Sequence, residues 1–69
     1  MGIKKLQLIK TRSSYQLLIY ENNSEIPTFR RCFGYADRLE EQALNEARKE
    51  GKEIAEQEGI SLEEKITNS

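Results

Sequence analysis

Apolar and polar residues alternate along the first half of the chain in the manner of β-strands. Residues 3–10 place leucine and isoleucine between lysines and a glutamine, and residues 15–21 are rich in aromatic and β-branched side chains. Short polar segments that suit turns separate these runs. Pro27 cannot donate a backbone hydrogen bond, so it suits the start of a third, edge strand over 28–33. The pattern predicts a three-stranded antiparallel meander.

The periodicity of the second half is that of an amphipathic α-helix. Asp37 with Glu40 three residues later matches a capping box, and Gly59 suits the left-handed position that ends a helix. A helix is therefore predicted over 38–58, with Ile60 packing back on its last turn as in a Schellman motif. Its apolar stripe comprises Leu39, Ala43, Leu44, Ala47, Gly51, Ile54 and Ala55.

The residues that follow the helix carry a weaker pattern. Ser61 and Glu64 repeat the Ser-x-x-Glu spacing of a helix start, so 61–69 is expected to form a short helical turn or a frayed tail. A chain of 69 residues holds one small domain, expected over 1–60. The expected fold class is α+β, a three-stranded antiparallel β-meander packed against one long C-terminal amphipathic helix.

Small residues recur at every fourth position of the predicted helix, at Ala43, Ala47, Gly51 and Ala55. Such a ridge allows the helix backbone to approach a neighbour closely. One interpretation seats the ridge on the sheet against Phe29 and Phe33. The other makes it a helix–helix seam between two copies of the chain.

A single helix covers only one face of a sheet. If the odd positions of the second strand face the helix, Leu18 and Tyr20 lie on the other face and need a cover. The C-terminal Leu62 and Ile66 could supply it, or a second copy of the chain could. A chain this small is near the lower limit for a stable core, which favours a homodimer. A slip of one residue in strand register would exchange the two faces.

The net charge of −1 conceals an asymmetry between the two halves. Residues 1–35 carry six basic and two acidic side chains, a net charge of +4. Residues 36–69 carry five basic and ten acidic side chains, a net charge of −5. The predicted sheet is therefore basic and the predicted helix acidic, which indicates a binding surface on the sheet.

Two functions fit this distribution of charge. The favoured one is a small, non-enzymatic cytoplasmic binding or regulatory module that acts through protein–protein interaction and self-associates as a homodimer; the sequence does not identify its partner. The alternative is a DNA- or RNA-binding module in which basic groups of the sheet neutralise phosphates and an aromatic ring stacks on a base. Some DNA-binding domains combine a small sheet with one helix, an analogy of architecture only. The expected interface residues are Lys5, Gln7, Lys10, Arg12, Gln16, Leu18, Tyr20, Arg30 and Arg31.

Residue types on which much of catalysis depends are missing from the chain. It has no histidine and one cysteine, Cys32, which excludes Ser-His and Cys-His nucleophile pairs, internal disulfides and multi-cysteine zinc sites. Cys32 is expected to be a reduced, inert, partly buried thiol, with a reactive thiol beside two arginines as the alternative. We expect no enzymatic activity, no cofactor and no metal. The absence of a signal-peptide pattern or a long apolar run predicts a cytoplasmic protein without a membrane segment.

Overall fold

A computed structural model of the chain describes residues 2–66 as four strands and one helix. The elements are β1 (Ile3–Lys10), β2 (Ser14–Glu21), β3 (Phe29–Gly34), α1 (Glu40–Glu58) and β4 (Leu62–Lys65). The strands form one sheet in the order β3-β2-β1-β4, and α1 packs across one of its faces. β1, β2 and β3 form the predicted antiparallel meander, and β4 adds a parallel strand beside β1. The α+β prediction is confirmed, with one strand more than expected.

Polar turns join the first three strands as predicted. Between β1 and β2, the Thr11 amide donates to the Ser14 carbonyl at 2.8 Å, and the Ser14 amide donates to the Thr11 hydroxyl at 3.1 Å. Between β2 and β3, Asn23 adopts a φ of 71°, the left-handed conformation that asparagine tolerates better than most residues. These local interactions set the hairpin geometry and with it the register of the sheet.

The segment after the helix is a strand, which corrects the expectation of a helical turn or a frayed tail over 61–69. Leu62–Lys65 pairs with β1, with Leu62 opposite Leu6, and Leu62 packs against the core on the helix side. The Ser-x-x-Glu spacing is a local signal, whereas this strand forms because β1 presents an unpaired edge. Residues 67–69, the remainder of that predicted segment, lie outside the described residues.

The C-terminal end of α1 matches the prediction. Gly59 adopts φ 68° and ψ 31°, and its amide donates to the Glu56 carbonyl at 3.4 Å. The Ile60 amide donates to the Ala55 carbonyl at 3.0 Å, and Ile60 packs in the same apolar cluster as Ala55. These two hydrogen bonds and the apolar contact constitute a Schellman motif, which turns the chain back toward the sheet.

The N-terminal end of α1 differs from the prediction, because Asp37 does not cap the helix. The helix begins at Glu40, and its N-cap, Leu39, provides no side-chain hydrogen bond. Residues 35–39 carry the chain from the edge of the sheet onto its face, and Arg38 Nε donates to the Gly34 carbonyl at 2.9 Å along this path. Asp37 is thus part of the connection, and glutamates in the first turn interact favourably with the helix dipole instead.

The ridge of small residues seats the helix on its own sheet. All four residues of the ridge are buried. The three alanines pack in two clusters with Leu6, Leu8, Tyr15, Leu17, Ile19 and Phe33, and Gly51 lies against Leu17 and Leu62. A seam between two copies would need this ridge to be free, so that interpretation is wrong. The predicted packing of the ridge against Phe29 is also wrong, because Phe29 is 60% exposed at the start of β3 and belongs to neither cluster.

Candidate interaction surfaces

The face of the sheet that points away from α1, which we call the open face, is set by the alternation of side chains along each strand. Tyr15, Leu17 and Ile19 of β2 belong to the core under the helix, so the residues between them lie on the other face, which is the arrangement that the sequence interpretation assumed. The strand register places residues of the other strands beside them. The open face carries Arg30 and Cys32 of β3, Gln16, Leu18 and Tyr20 of β2, Lys5, Gln7 and Ile9 of β1, and Glu63 and Lys65 of β4.

Six of the nine predicted interface residues share the open face: Lys5, Gln7, Gln16, Leu18, Tyr20 and Arg30. Arg12 is exposed in the turn between β1 and β2, at the end of the sheet. The shared surface brings cations, amides and one tyrosine together, as the sequence pattern predicted. Their role in binding stays a prediction.

Lys10 and Arg31 do not belong to this surface, which corrects their place in the predicted interface. Arg31 lies on the helix side, 5.8 Å from the centre of the Phe33 ring, and its Nε is 3.1 Å from Glu50 Oε1. Lys10 Nζ is 3.0 Å from Glu40 Oε1. A β-strand alternates its side chains with a period of two, so neighbouring Arg30 and Arg31 must occupy opposite faces. That alternation was the signal in the sequence that could have separated them.

Neighbouring side chains of the open face contact one another and shield part of its surface from solvent. The Tyr20 hydroxyl donates to Gln7 Oε1 at 3.1 Å, and Lys5 Nζ lies 4.9 Å from the centre of the Tyr20 ring. Leu18, between Gln7 and Arg30 in the register, is only 8% exposed. The surface therefore does not require an apolar cover at Leu18.

The C-terminal residues do not cover the open face either. Leu62 and Ile66 pack against the core on the helix side, so the prediction that they shield Leu18 and Tyr20 is wrong. Their positions follow from β4, whose side chains alternate like those of any strand and send Leu62 under the helix. The open face is bare of other elements over residues 2–66.

Ion pairs neutralise the helix side and leave the open face basic. Within residues 2–66 the ion pairs are Lys10–Glu40, Arg31–Glu50, Arg38–Glu46 and Arg48–Glu64. Two of them join the basic half of the chain to its acidic half, so part of the charge asymmetry is balanced internally. None involves the open-face cations Lys5, Arg30 and Lys65, and the acidic residue beside them is Glu63.

The outer edge of β3 is a second candidate surface. The Tyr35 amide donates to the Ser13 carbonyl at 3.0 Å. Together with the register, this bond shows which residues of β3 direct their backbone groups toward β2 and which direct them outward. In an antiparallel ladder every second residue bonds to the inner neighbour. It follows that Arg30, Cys32 and Gly34 direct their N–H and C=O groups outward, where no described strand pairs with them.

The two edges of the sheet differ in how well they are protected from further pairing. β4 has four residues, of which three are charged, and short charged edge strands resist association. β3 has six residues in a continuous register with β2. Phe29 begins this strand with 60% of its surface exposed, and Ile26 in the preceding turn is 71% exposed. β3 is therefore the longer and the less charged of the two edges.

Cys32 lies on this edge as a free and exposed thiol, which corrects the expectation that it is partly buried. Its side chain shares the open face with Gln16, its partner across the ladder. Among residues 2–66, no cluster of acidic residues and cysteine could hold a metal ion. In the same range, no helix has the length and apolar character needed to cross a membrane.

Comparisons of the chain with protein-family models, with curated proteins and with solved structures found no match. The fold and the two surfaces described above are therefore the basis for inferring function. One is a basic, partly self-covered sheet face, and the other is a strand edge with unpaired backbone groups and exposed apolar side chains beside it.

Proposed function

We propose that this protein is a small, non-enzymatic cytoplasmic binding or regulatory module that acts through protein–protein interaction and self-associates. The observation that carries the proposal is the β3 edge, where unpaired backbone groups lie beside the exposed side chains of Ile26 and Phe29. An edge of this kind is a ready template for a further strand. Exposed apolar side chains beside it add a favourable burial term for whichever chain pairs there.

Sedimentation velocity from about 1 µM to about 1 mM protein tests self-association directly. We expect a concentration-dependent dimer that Ile26→Ser and Phe29→Ser both weaken. Leu39→Ser is the matched control, because Leu39 is 66% exposed but is the N-cap of α1 and not part of β3. A monomer at every concentration would refute self-association. A Leu39→Ser effect as large as that of Phe29→Ser would refute the assignment of the surface.

A second candidate function is nucleic-acid binding through the open face. It is favoured because the ion pairs of residues 2–66 lie on the helix side and leave the cations of the open face without an acidic partner in that range. Lys5, Arg30 and Lys65 remain outside the ion pairs of residues 2–66, whereas Lys10 and Arg31 are neutralised by glutamates. Lys5 already lies over the Tyr20 ring, so a base can stack on that side only by displacing the ammonium group. Contacts to phosphate are then expected to dominate, and binding should weaken steeply as salt rises.

Arg30 and Arg31 provide a matched pair for this second candidate, because the same substitution at each removes one charge from opposite faces of β3. Fluorescence anisotropy with single- and double-stranded oligonucleotides, at about 50 and about 200 mM salt, measures the effect. We expect Arg30→Gln to weaken binding and Arg31→Gln to leave it nearly unchanged. No binding by the wild-type protein at the lower salt concentration, or equal losses from both variants, would refute an open-face site.

A further inference from the structure

We propose that two copies of this chain pair through their β3 edges in antiparallel orientation, about a two-fold axis at Cys32. The inference rests on the self-association proposed above and specifies its interface. It follows from three properties of β3: which backbone groups point outward, where its charges lie, and which apolar groups flank it.

Backbone hydrogen bonding restricts the register of such a pair. Only Arg30, Cys32 and Gly34 direct backbone groups outward, so these residues must pair with one another. All three are used when Cys32 lies opposite Cys32 of the second copy and Arg30 lies opposite its Gly34. That register has three hydrogen-bonded pairs and about six hydrogen bonds, and a shift of two residues in either direction loses one of the pairs.

The charges of β3 select the same register. A shift that centres the axis on Arg30 or Arg31 sets two guanidinium groups directly opposite each other, which is destabilising. With the axis at Cys32, Arg31 lies opposite Phe33 of the second copy, an arrangement that suits a cation and an aromatic ring. Arg31 already makes this kind of contact with Phe33 within one copy.

The exposed ring of Phe29 gains a neighbour in this register and in no other that avoids the arginine clash. Phe29 lies opposite Tyr35 of the second copy, the residue just after β3, whose amide still bonds to the neighbouring chain segment at Ser13, so pairing covers a residue that is 60% exposed in the single chain. A shift in the remaining direction, which sets Cys32 opposite Gly34, leaves Phe29 and Arg30 beyond the end of the partner strand. Hydrogen bonding, charge and apolar burial therefore agree on one arrangement.

The resulting sheet has eight strands in the order β4-β1-β2-β3-β3-β2-β1-β4 and is about 34 Å wide. Residues directly opposite each other in an antiparallel pair point to the same face. The two open faces then lie on one side, and both helices lie on the other. The two Arg30 side chains flank the axis about 13 Å apart along the strands, so dimerisation doubles the basic surface without bringing them into contact.

Cys32 allows the arrangement to be tested with the natural chain, because it is the only cysteine. Opposed Cα atoms in a hydrogen-bonded pair lie about 5.5 Å apart, within the range that a disulfide can bridge. Mild oxidation should therefore convert the dimer to a covalent one. The yield should follow the concentration dependence of the dimer measured under reducing conditions, since only the associated chains hold the two thiols together.

Two substitutions of neutral residues by lysine separate this interface from any other. Cys32→Lys places two ammonium groups across the axis and should weaken dimerisation at least about tenfold. Ser61→Lys adds the same charge at an exposed position beside β4, on the opposite edge, and should leave the dimer unchanged. Cys32→Ser keeps the edge intact, so it should dimerise normally and give no covalent product. Circular dichroism checks that each variant is folded.

The outcomes distinguish this interface from self-association in general. A dimer that Cys32→Lys does not weaken, or that gives no disulfide, overturns the β3 pairing while the proposed self-association stands. A disulfide that forms equally well at concentrations where the chain is monomeric would be collisional and would also overturn it. A monomer at every concentration overturns both proposals.

Discussion

The close approach of α1 to the sheet at Gly51 can be tested by adding one methyl group there, in the substitution Gly51→Ala. A Cβ on Gly51 would lie 3.0 Å from Leu17 Cδ2, 3.0 Å from Leu62 Cδ2 and 3.2 Å from Leu62 Cδ1. Apolar carbon atoms in favourable contact are about 3.5–4.0 Å apart. Leu17 is fully buried and has nowhere to move, so the strain must be relieved at half-buried Leu62 on the edge strand β4.

Two opposing terms decide the size of the effect. Replacing glycine by alanine inside a helix stabilises it by about 1 kcal/mol. Overpacking a filled core destabilises by about 1–3 kcal/mol. We therefore expect Gly51→Ala to lower the free energy of unfolding by about 1 kcal/mol, which in a domain of this size lowers Tm by about 4–8 °C. Gly51→Leu inserts three further carbons and should cost about 3 kcal/mol or more.

Urea and thermal unfolding followed by circular dichroism measure these differences. Asn45→Ala is the matched control, because Asn45 is exposed on α1 and alanine there raises helix propensity without touching the sheet. That control should gain about 0.5 kcal/mol. If Gly51→Ala instead stabilises the protein as much as its propensity predicts, the ridge does not require a glycine and the close-seat argument is refuted.

Two further predictions concern the ends of the sheet. Burial raises the pKa of Tyr15 above its usual 10.0, helped by the Glu40 carboxylate, and the hydrogen bond and charge of Glu40 raise the pKa of Lys10 above 10.5. Both groups hold their protons more tightly when folded, so stability should persist below about pH 10 and fall above it. In urea unfolding at a series of pH values, Tyr15→Phe should reduce the loss of unfolding free energy above about pH 10. A wild-type free energy of unfolding that does not change over this pH range would contradict the prediction. Leu62→Ala should cost about 2 kcal/mol, and Glu63→Ala, on the open side of β4, less than about 0.5 kcal/mol; equal losses would contradict the inward placement of Leu62.

Local sequence signals were sufficient where one interaction dominates. The alternation in β2 placed Leu17 and Leu18 on opposite faces of the sheet, because successive side chains of a strand point to opposite sides. Gly59 predicted the end of α1, since a left-handed residue there satisfies the last carbonyl groups. Each signal acts within a few residues, so it can be seen in the sequence.

Local sequence signals gave the wrong structure where a segment's conformation depends on contacts with residues far away in the sequence. Residues 62–66 have the spacing of a helical turn, yet β4 forms because β1 has a free edge and Leu62 fits beside Gly51. Asp37 has the spacing of a capping residue, yet it lies in the connection that carries the chain from β3 onto the sheet. Neither the free edge nor the path of the connection is encoded nearby in the chain.

The sequence by itself determined the three-stranded meander and the amphipathic helix, since these follow from the period of apolar residues. It also determined the basic sheet and the acidic helix. The tertiary structure decided which cations remain available: Arg31 and Lys10 meet helix glutamates, while Arg30 and Lys5 stay on the open face. It also decided that β3 keeps a free edge, because the fourth strand pairs with β1 on the other side. Both outcomes depend on contacts between residues far apart in the chain, which form only when the sheet and the helix come together.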